Sequence, residues 1–592
     1  MFLKQVRQKS GRINISFVQG YRDPETKKTK HLVIENLGYV DEYEHLYDDP
    51  IAHFKEIARK RTLEMENKKA EKEIFLGTVY ADEIMAENEN SLKHMGFLPI
   101  SSIYHQLNIH QFIINRQRSL KMHYSLNDVM QLLVYTRILS PGSKKANYEG
   151  KDNIARPFNC ELHDIYLAMD YFTKFKEELL LHLHEQVNIN YKRKTDVVFY
   201  DVTNYYFEID REDEFRRKGF CKHNTRNPLV QMGLLLDSNA IPITYRLFKG
   251  NTHDSQTMMP LLQETRKDYG LGRIITVADK ALNSGDNVAF LMAKGDGFIF
   301  SQKIRGADKE LQDYVFDSKN YIEKRGIIKQ IDSWVKKDDD NDTPIFCMKS
   351  RPFPQKFWVT HADDKKRQIP LNVKQIVCYN ELYARRQKYK RAEVLEKAKR
   401  IVANPKRYDK KEARGSLRYI KNIEFDPETG EYINAKRIPV LDTDKIIEDE
   451  KYDGYYSIIT SEINMPDYEI VKAYHELWEI ERSFRITKSD LEARPINHTL
   501  ERRIEAHFIT CFIALLILRL LDKCLDGKYS PERIIKSLRK YQACFLKDNV
   551  YKVVYYDNLV KDLGNALNLA LSKRYLRVGD IKQLVADSKK KF

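Results

Sequence analysis

Alternating apolar and polar positions mark residues 12–40 as two strands, RINISFVQGY and KHLVIENLGYV, joined by the turn residues Asp23, Pro24, Glu25 and Thr26. Residues 50–88 are charged and helix-favouring and read as a connector. Residues 98–190 carry apolar patterns of helical type, broken at Ser140, Pro141, Gly142 and Ser143. They predict a mainly helical region in which DNA-binding helices and merely packed helices look alike. At Thr195 the pattern changes. DVVFYDVTNYYFE, VQMGLLLD and AIPITYRLFKG are three β-rich runs; a helix over 258–267, the strand RIITVAD, a helix over 285–294 and the strand GFIFSQK follow. Three strands in succession and then strand-helix alternation predict a mixed sheet whose first half is antiparallel.

Residues 473–491, AYHELWEIERSFRITKSDL, carry two stripes at helical spacing. Ala473, Leu477, Ile480, Phe484 and Leu491 form the apolar stripe of a helix docked on a core. About 100° around the cylinder, Tyr474, Trp478, Glu481, Arg485 and Lys488 form a second stripe that sets one carboxylate among cations and aromatic rings. Such side chains hold a metal ion, a phosphate backbone or an unstacked base. The seven-residue steps from Tyr474 to Glu481 and on to Lys488 predict one shared face. Asn464, Pro466, Asp467 and Glu469 supply start signals: a capping side chain, a first-turn proline and acids at the positive dipole end. Taken alone, Glu481 and Arg485 are also an ordinary surface ion pair.

Other carboxylates change that picture. Asp201 follows the apolar run VVFY and Asp279 follows IITVA. If the first and fourth strands are parallel neighbours, their ends bring both acids within reach of one hard cation, and Glu481 closes the site from the side. Strand-end acids also serve as turn formers and helix caps, and that reading of Asp279 stands beside the first.

The 592 residues exceed a single core, and 101 Lys and Arg against 85 acids give a net charge of +16, which favours a polyanionic partner. Nucleic acid leads and an anionic membrane surface trails. The apolar run 508–518 is shorter than the roughly 18 residues of a membrane span and reads as a buried helix. Seven scattered cysteines without a CxxC pair indicate neither a disulfide framework nor a zinc module, and Cys221 with His223 has no second pair of ligands. The N-terminus lacks an uninterrupted signal-type apolar core, and a reducing cytoplasm is the expected compartment.

YDVTNYYFE, VADKALNSGDN and YHELWEIERSFRITKSDLEARPI resemble the DDE transposases of bacterial insertion sequences, within the insertion-sequence-four superfamily. The resemblance implies a ribonuclease H-like α/β catalytic fold with Asp201, Asp279 and Glu481 as its acids. It also implies that these hold two Mg2+ ions, with Mn2+ able to substitute. Tyr474, Glu481 and Lys488 match the signature Y-(2)-R-(3)-E-(6)-K; its arginine position is Leu477 here, so the phosphate contact of that arginine falls to another residue such as Arg482 or Arg485. Tyr474 and Lys488 are the expected contacts to DNA near the cut; Trp478 reads as either a DNA contact or packing. His507 reads as a structural residue.

Roughly two hundred residues separate Asp279 from Glu481, too many for a bare loop, so an inserted domain is expected. Alternating patches such as PIFCMKS and KFWVTHA, and a second DPET turn at 426–429, give it a β-containing body. Within it, residues 385–421 hold fifteen Lys or Arg against four acids. Arg385, Arg386, Lys388, Lys390 and Arg391 are candidate phosphate contacts; a solvated charged helix is the competing reading.

The expected domains are a hairpin and connector (1–95), a helical region (96–194), the catalytic domain in two parts (195–305 and 451–525), the basic insertion (306–450) and a helical C-terminal region (526–592). The implied activity is metal-dependent cleavage and strand transfer, of cut-and-paste type with hairpin ends as an option. The implied partners are the double-stranded terminal inverted repeats, target DNA and a second copy of the chain; no membrane is expected, and the place of action is the bacterial cytoplasm at the nucleoid. A nuclease of the same fold without strand transfer and a non-catalytic, transposase-derived DNA-binding protein are the rivals.

Overall fold

Ile13, Ile15 and Phe17 recur at a period of two on one strand and so share one face of the N-terminal sheet. The computed structural model describes residues 1–8, 10–22, 29–70, 90–219, 227–323, 344–403, 416–424, 437–546 and 549–591. It divides into two units, 1–85 and 86–592. In the first, β1 (Phe2–Arg7), β2 (Ile13–Arg22) and β3 (Thr29–Tyr39) form an antiparallel sheet in that order. The strand β1 is added to the expected hairpin. Ile15 and Phe17 pack on Phe54 and Ala58 of the helix Pro50–Ala70, so the expected connector is also half of a small core. Both DPET turns, Cys221 and His223 lie outside the described residues.

The second unit is built on a nine-stranded sheet. After β4 (Leu92–His94), its strands in chain order are β5 (Val197–Tyr206), β6 (Leu229–Asp237), β7 (Pro242–Lys249), β8 (Ile275–Ala278), β9 (Gly297–Gln302), β10 (Ile322–Glu323), β11 (Phe346–Thr360) and β12 (Lys366–Asn380). After the small hairpin of β13 (Ile420–Glu424) and β14 (Arg437–Leu441), β15 (Tyr455–Thr460) completes the sheet. The order across the sheet is β10-β11-β12-β15-β9-β8-β5-β6-β7. β5, β6 and β7 are antiparallel, whereas β8 runs parallel to β5 and β9 parallel to β8. The expected pairing of first and fourth strands is therefore present. The insertion contributes β10, β11 and β12 to this same sheet through the pairing of β12 with β15.

β6 is buried along its whole length, which is why LVQMGLLLD reads as a near-continuous apolar run: both faces of the sheet are covered. One face meets the helices Met258–Asp268 and Gly285–Ala293. The other joins the helical region before Thr195 and the helix Glu501–Cys524 in one core. That helix is long and apolar enough to cross a membrane, but its apolar window is 94% buried within the fold. Gly285 opens the helix that follows Asp279 where β11 passes closest; a Cβ there would collide with the Trp358 carbonyl.

Candidate active site

The parallel pairing of β5 with β8 runs Val197 to Ile275, Val198 to Thr276 and Phe199 to Val277. Carried on at the same offset, Asp201 comes level with Asp279, just past the end of β8. Neighbouring strands lie about 4.8 Å apart, and level residues on parallel strands point to the same face. β8 and β9 continue the row, since Ala278 pairs with Phe300 and Ser301 follows. Ser301 Oγ donates to Asp279 Oδ1 at 2.9 Å. Asp279 precedes a short helical turn, Lys280–Leu282, with an extended backbone, but its side chain makes no capping bond. Its carboxylate is held by Ser301 and not by the helix behind it, whereas Asp201, expected at a strand end, lies within β5, which runs on to Tyr206.

The segment expected as one straight helix is three pieces. A helix, Asp467–His475, is followed by a turn at Glu476 and Leu477, a second helix, Trp478–Arg485, and a π-helical turn, Ile486–Asp490. The first helix starts at Asp467, so Pro466 occupies the cap itself and not the first turn, and no side chain caps it. Through the break the backbone bonds span three residues, Leu477 N to Tyr474 O at 3.2 Å and Ile480 N to Leu477 O at 3.2 Å. A tightened turn overwinds the helix and a π turn underwinds it, so the seven-residue spacing no longer superimposes the three signature side chains. Tyr474 is half-buried, Glu481 is exposed and Lys488 is half-buried.

Each of the three nevertheless relates to the acidic row. The Tyr474 phenol is pushed above the ordinary tyrosine range, chiefly by burial; a hydrogen bond with Ser301 opposes this, and the carboxylates of Asp279 and, last, Glu481 add to it. Tyr474 therefore sits where the charges of both acids are felt. Lys488 Nζ donates to Thr203 Oγ1 and lies 5.2 Å from the centre of the Tyr205 ring. Thr203 is two residues from Asp201 and shares its face of β5. Thr487 and Tyr205 join their hydroxyls at 2.8 Å, tying the π turn to the same strand.

The apolar stripe is buried at Ile480, Phe484 and Leu491, but Leu477 in the tightened turn is only partly buried. Trp478 is 44% exposed, with the Arg482 guanidinium 5.4 Å from its ring. Arg482 and Arg485 donate to the two oxygens of Glu532, at 3.2 and 2.7 Å. Burial would raise the Glu532 carboxyl, yet these hydrogen bonds and others hold it down at about 2. Arg519, a residue the sequence did not mark, is buried on the long helix and donates to Glu479 Oε2 at 2.8 Å and to Ser483 Oγ at 2.7 Å. The one sign of it in the sequence is an arginine closing an apolar run, which needs a buried partner. His507 is buried and bonds the Ala493 carbonyl at 3.0 Å.

The basic segment begins as the helix Glu381–Ala403; its continuation over 404–415 lies outside the described residues. Arg385, Arg386, Lys388 and Lys390 are exposed, with Arg385 on Glu381 at 2.7 Å. Arg391 turns the other way. It is 7% exposed and donates to both oxygens of Asp453, so its guanidinium faces protein. Among the described residues no group of three or more His, Cys, Asp or Glu converges closely enough to hold a metal ion. Asp201 and Asp279 lie level on adjacent parallel strands, and Glu481 lies on the helix Trp478–Arg485, which packs on β5.

The family model of the transposase DDE domain matches residues 192–517, from just before β5 into the long helix, and spans all three acids. The chain belongs to the DDE transposase family. The N-terminal domain model of the IS1634 transposase family matches residues 3–72 of this transposase, the region of the first unit. No curated protein matches it. Among solved structures, a piggyBac transposase synaptic complex with hairpin DNA is similar at 8% identity and a TM-score of 0.35, covering 83% of this transposase and 85% of that chain. A Mos1 transposase paired-end complex with the left transposon end is similar at 14% identity and a TM-score of 0.14, covering 29% and 57%.

Proposed function

We propose that this DNA transposase cleaves the terminal inverted repeats of its own element and joins the released ends to target DNA by cut-and-paste transposition, acting as a homodimer. The observation that carries this reading is the single row formed by Asp201 and Asp279 on adjacent parallel strands, with the helix of Glu481 packed on β5. A mixed sheet with three antiparallel strands and two more added parallel to the first supports a ribonuclease H-like catalytic fold. Asp201, Asp279 and Glu481 would hold divalent metal, Mg2+ or Mn2+, which when bound stabilises the attacking and leaving oxygens of an in-line displacement.

The chain's own residues do the rest. Lys488, held at Thr203 on the strand of Asp201, offers an ammonium to a phosphate beside the cut. Trp478 presents an exposed ring to a base. Tyr474, close enough to Asp279 for its phenol to feel that charge, is placed to meet DNA beside the acids. Arg385, Arg386, Lys388 and Lys390 lie along an exposed helix suited to a phosphate backbone. Arg482 and Arg485 are held on Glu532, and Arg391 faces inward, so these three act in the fold first.

The test is to measure end binding, cleavage and joining for Asp201→Asn, Asp279→Asn and Glu481→Gln. Each should abolish cleavage and joining while end binding stays near normal, because an amide keeps the shape and loses the charge. Full-rate cleavage by a folded variant removes that residue from the catalytic set.

A further inference from the structure

Three consecutive carbonyls at the end of the broken helix, those of Asp490, Leu491 and Glu492, are taken by two arginines remote in sequence. Arg137, in the helix Leu126–Leu139 and 2% exposed, donates through Nη1 to Leu491 O and Glu492 O, both at 3.2 Å. Arg539, in the helix Pro531–Lys540, donates through Nη2 to Asp490 O at 2.6 Å and through Nε to Ile138 O at 2.8 Å. The second bond ties Arg539 to the residue after Arg137, so the two guanidiniums brace one another's elements. Leu491 and Asp490 lie 354 and 49 residues from their arginines.

The last carbonyls of a helix have no partner within it and form the negative end of its dipole, so a buried guanidinium suits them on both counts. This end is also the least regular part of the element. Leu491 N returns to Ile486 O at 2.8 Å to close the π turn, and Glu492 holds a positive φ of 46°. A π turn carries an extra residue per turn and persists where its surroundings hold it. Lys488 lies within this turn, and its ammonium reaches Thr203 from there.

We propose that Arg137 and Arg539 are positioning residues: by fixing the carbonyls of 490–492 they hold the π turn in place and so set the Lys488 ammonium beside Asp201. The inference rests on the reading of Lys488 as a contact to the cleaved end. Neither arginine needs to touch DNA, since the donors named are engaged by backbone carbonyls. The helical region before Thr195 and the C-terminal region thus each send an arginine to the end of the catalytic helix.

The test is a double-mutant cycle in the full chain: Arg539→Met, Lys488→Ala and the two together, read by end binding, thermal unfolding and joining of pre-cleaved ends at saturating DNA. Arg539→Met should slow joining by about tenfold, with end binding within about twofold of normal. If Arg539 acts through Lys488, the double variant joins no more slowly than Lys488→Ala alone; a merely structural role multiplies the two losses. Multiplied losses, or normal joining by Arg539→Met beside an impaired Lys488→Ala, overturn the bracing role alone. Normal joining by Lys488→Ala overturns the reading of Lys488 and the proposal with it. Should Arg539→Met fail to fold, Arg539→Lys replaces it in the cycle; this variant keeps the charge but not the fork that serves Asp490 and Ile138 together, and a wild-type joining rate in it overturns the proposal.

Discussion

Ser301 stands level with Asp279 on the neighbouring parallel strand and donates a 2.9 Å hydrogen bond to its Oδ1. A carboxylate held in this way presents its other oxygen in a fixed direction. Ser301→Ala should therefore raise the Mg2+ or Mn2+ concentration that cleavage requires by about 10- to 100-fold, the usual cost of losing such a supporting bond. Titrating the cleavage rate with each metal checks this. An unchanged titration would mean that the strand alone orients Asp279.

The exposed cations of the helix Glu381–Ala403 and the buried Arg391 should behave as two different classes. Neutralising Arg385, Arg386, Lys388 and Lys390 together should leave the fold intact, weaken DNA binding and flatten its salt dependence, by about 0.9 in logarithmic slope for each phosphate that is no longer neutralised. Arg391→Ala should instead destabilise the protein by about 3–5 kcal/mol, because Asp453 is left without the cation it faces. Salt-dependent binding isotherms and urea unfolding separate the two effects. An unchanged slope in the fourfold variant would make the helix a solvated face.

On the helix of Glu481 the cost of truncation should follow burial and not the periodic pattern. Ile480 is fully buried, and Ile480→Ala should cost about 2–5 kcal/mol. Leu477, partly buried in the tightened turn, should cost less than about 2 kcal/mol when cut to alanine. Equal losses in urea unfolding would show that the turn at Glu476 and Leu477 is packed as tightly as the helix after it.

Glu532 joins the C-terminal helix to Arg482 and Arg485, and its carboxyl is held at about 2 against an ordinary value of 4.5. A depressed carboxyl contributes stability that is fully present above about 4.5 and is lost as the pH falls through about 2. Glu532→Gln should therefore melt below wild type at neutral pH, and the two melting temperatures should converge as the pH falls across that window. Parallel curves throughout would mean that the two arginines find another acceptor when Glu532 is removed.

Local periodicity and chain order determined a great deal about this transposase. Short β-rich apolar runs bounded by turn residues marked the strands from β5 to β9, and the acids after VVFY and IITVA were legible as a pair, although only Asp279 follows the end of its strand while β5 runs on past Asp201 to Tyr206. The apolar stripe through Ile480, Phe484 and Leu491 likewise followed from helical spacing alone. Tertiary structure decided what depends on partners far along the chain. The phase of the helix carrying Glu481 is broken by a tightened turn and a π turn, where Tyr474 is drawn toward Ser301 and Lys488 toward Thr203. Arg391 points inward because Asp453 lies beneath it, although its neighbours in sequence look the same. Arg137 and Arg519 stand among apolar residues and Arg539 in a mixed, charged stretch, with no motif to distinguish them, and only packing brings them to Glu479 and to the carbonyls of 490–492. A period records which face of an element is covered; which atom covers it is settled by contacts between segments that share no period.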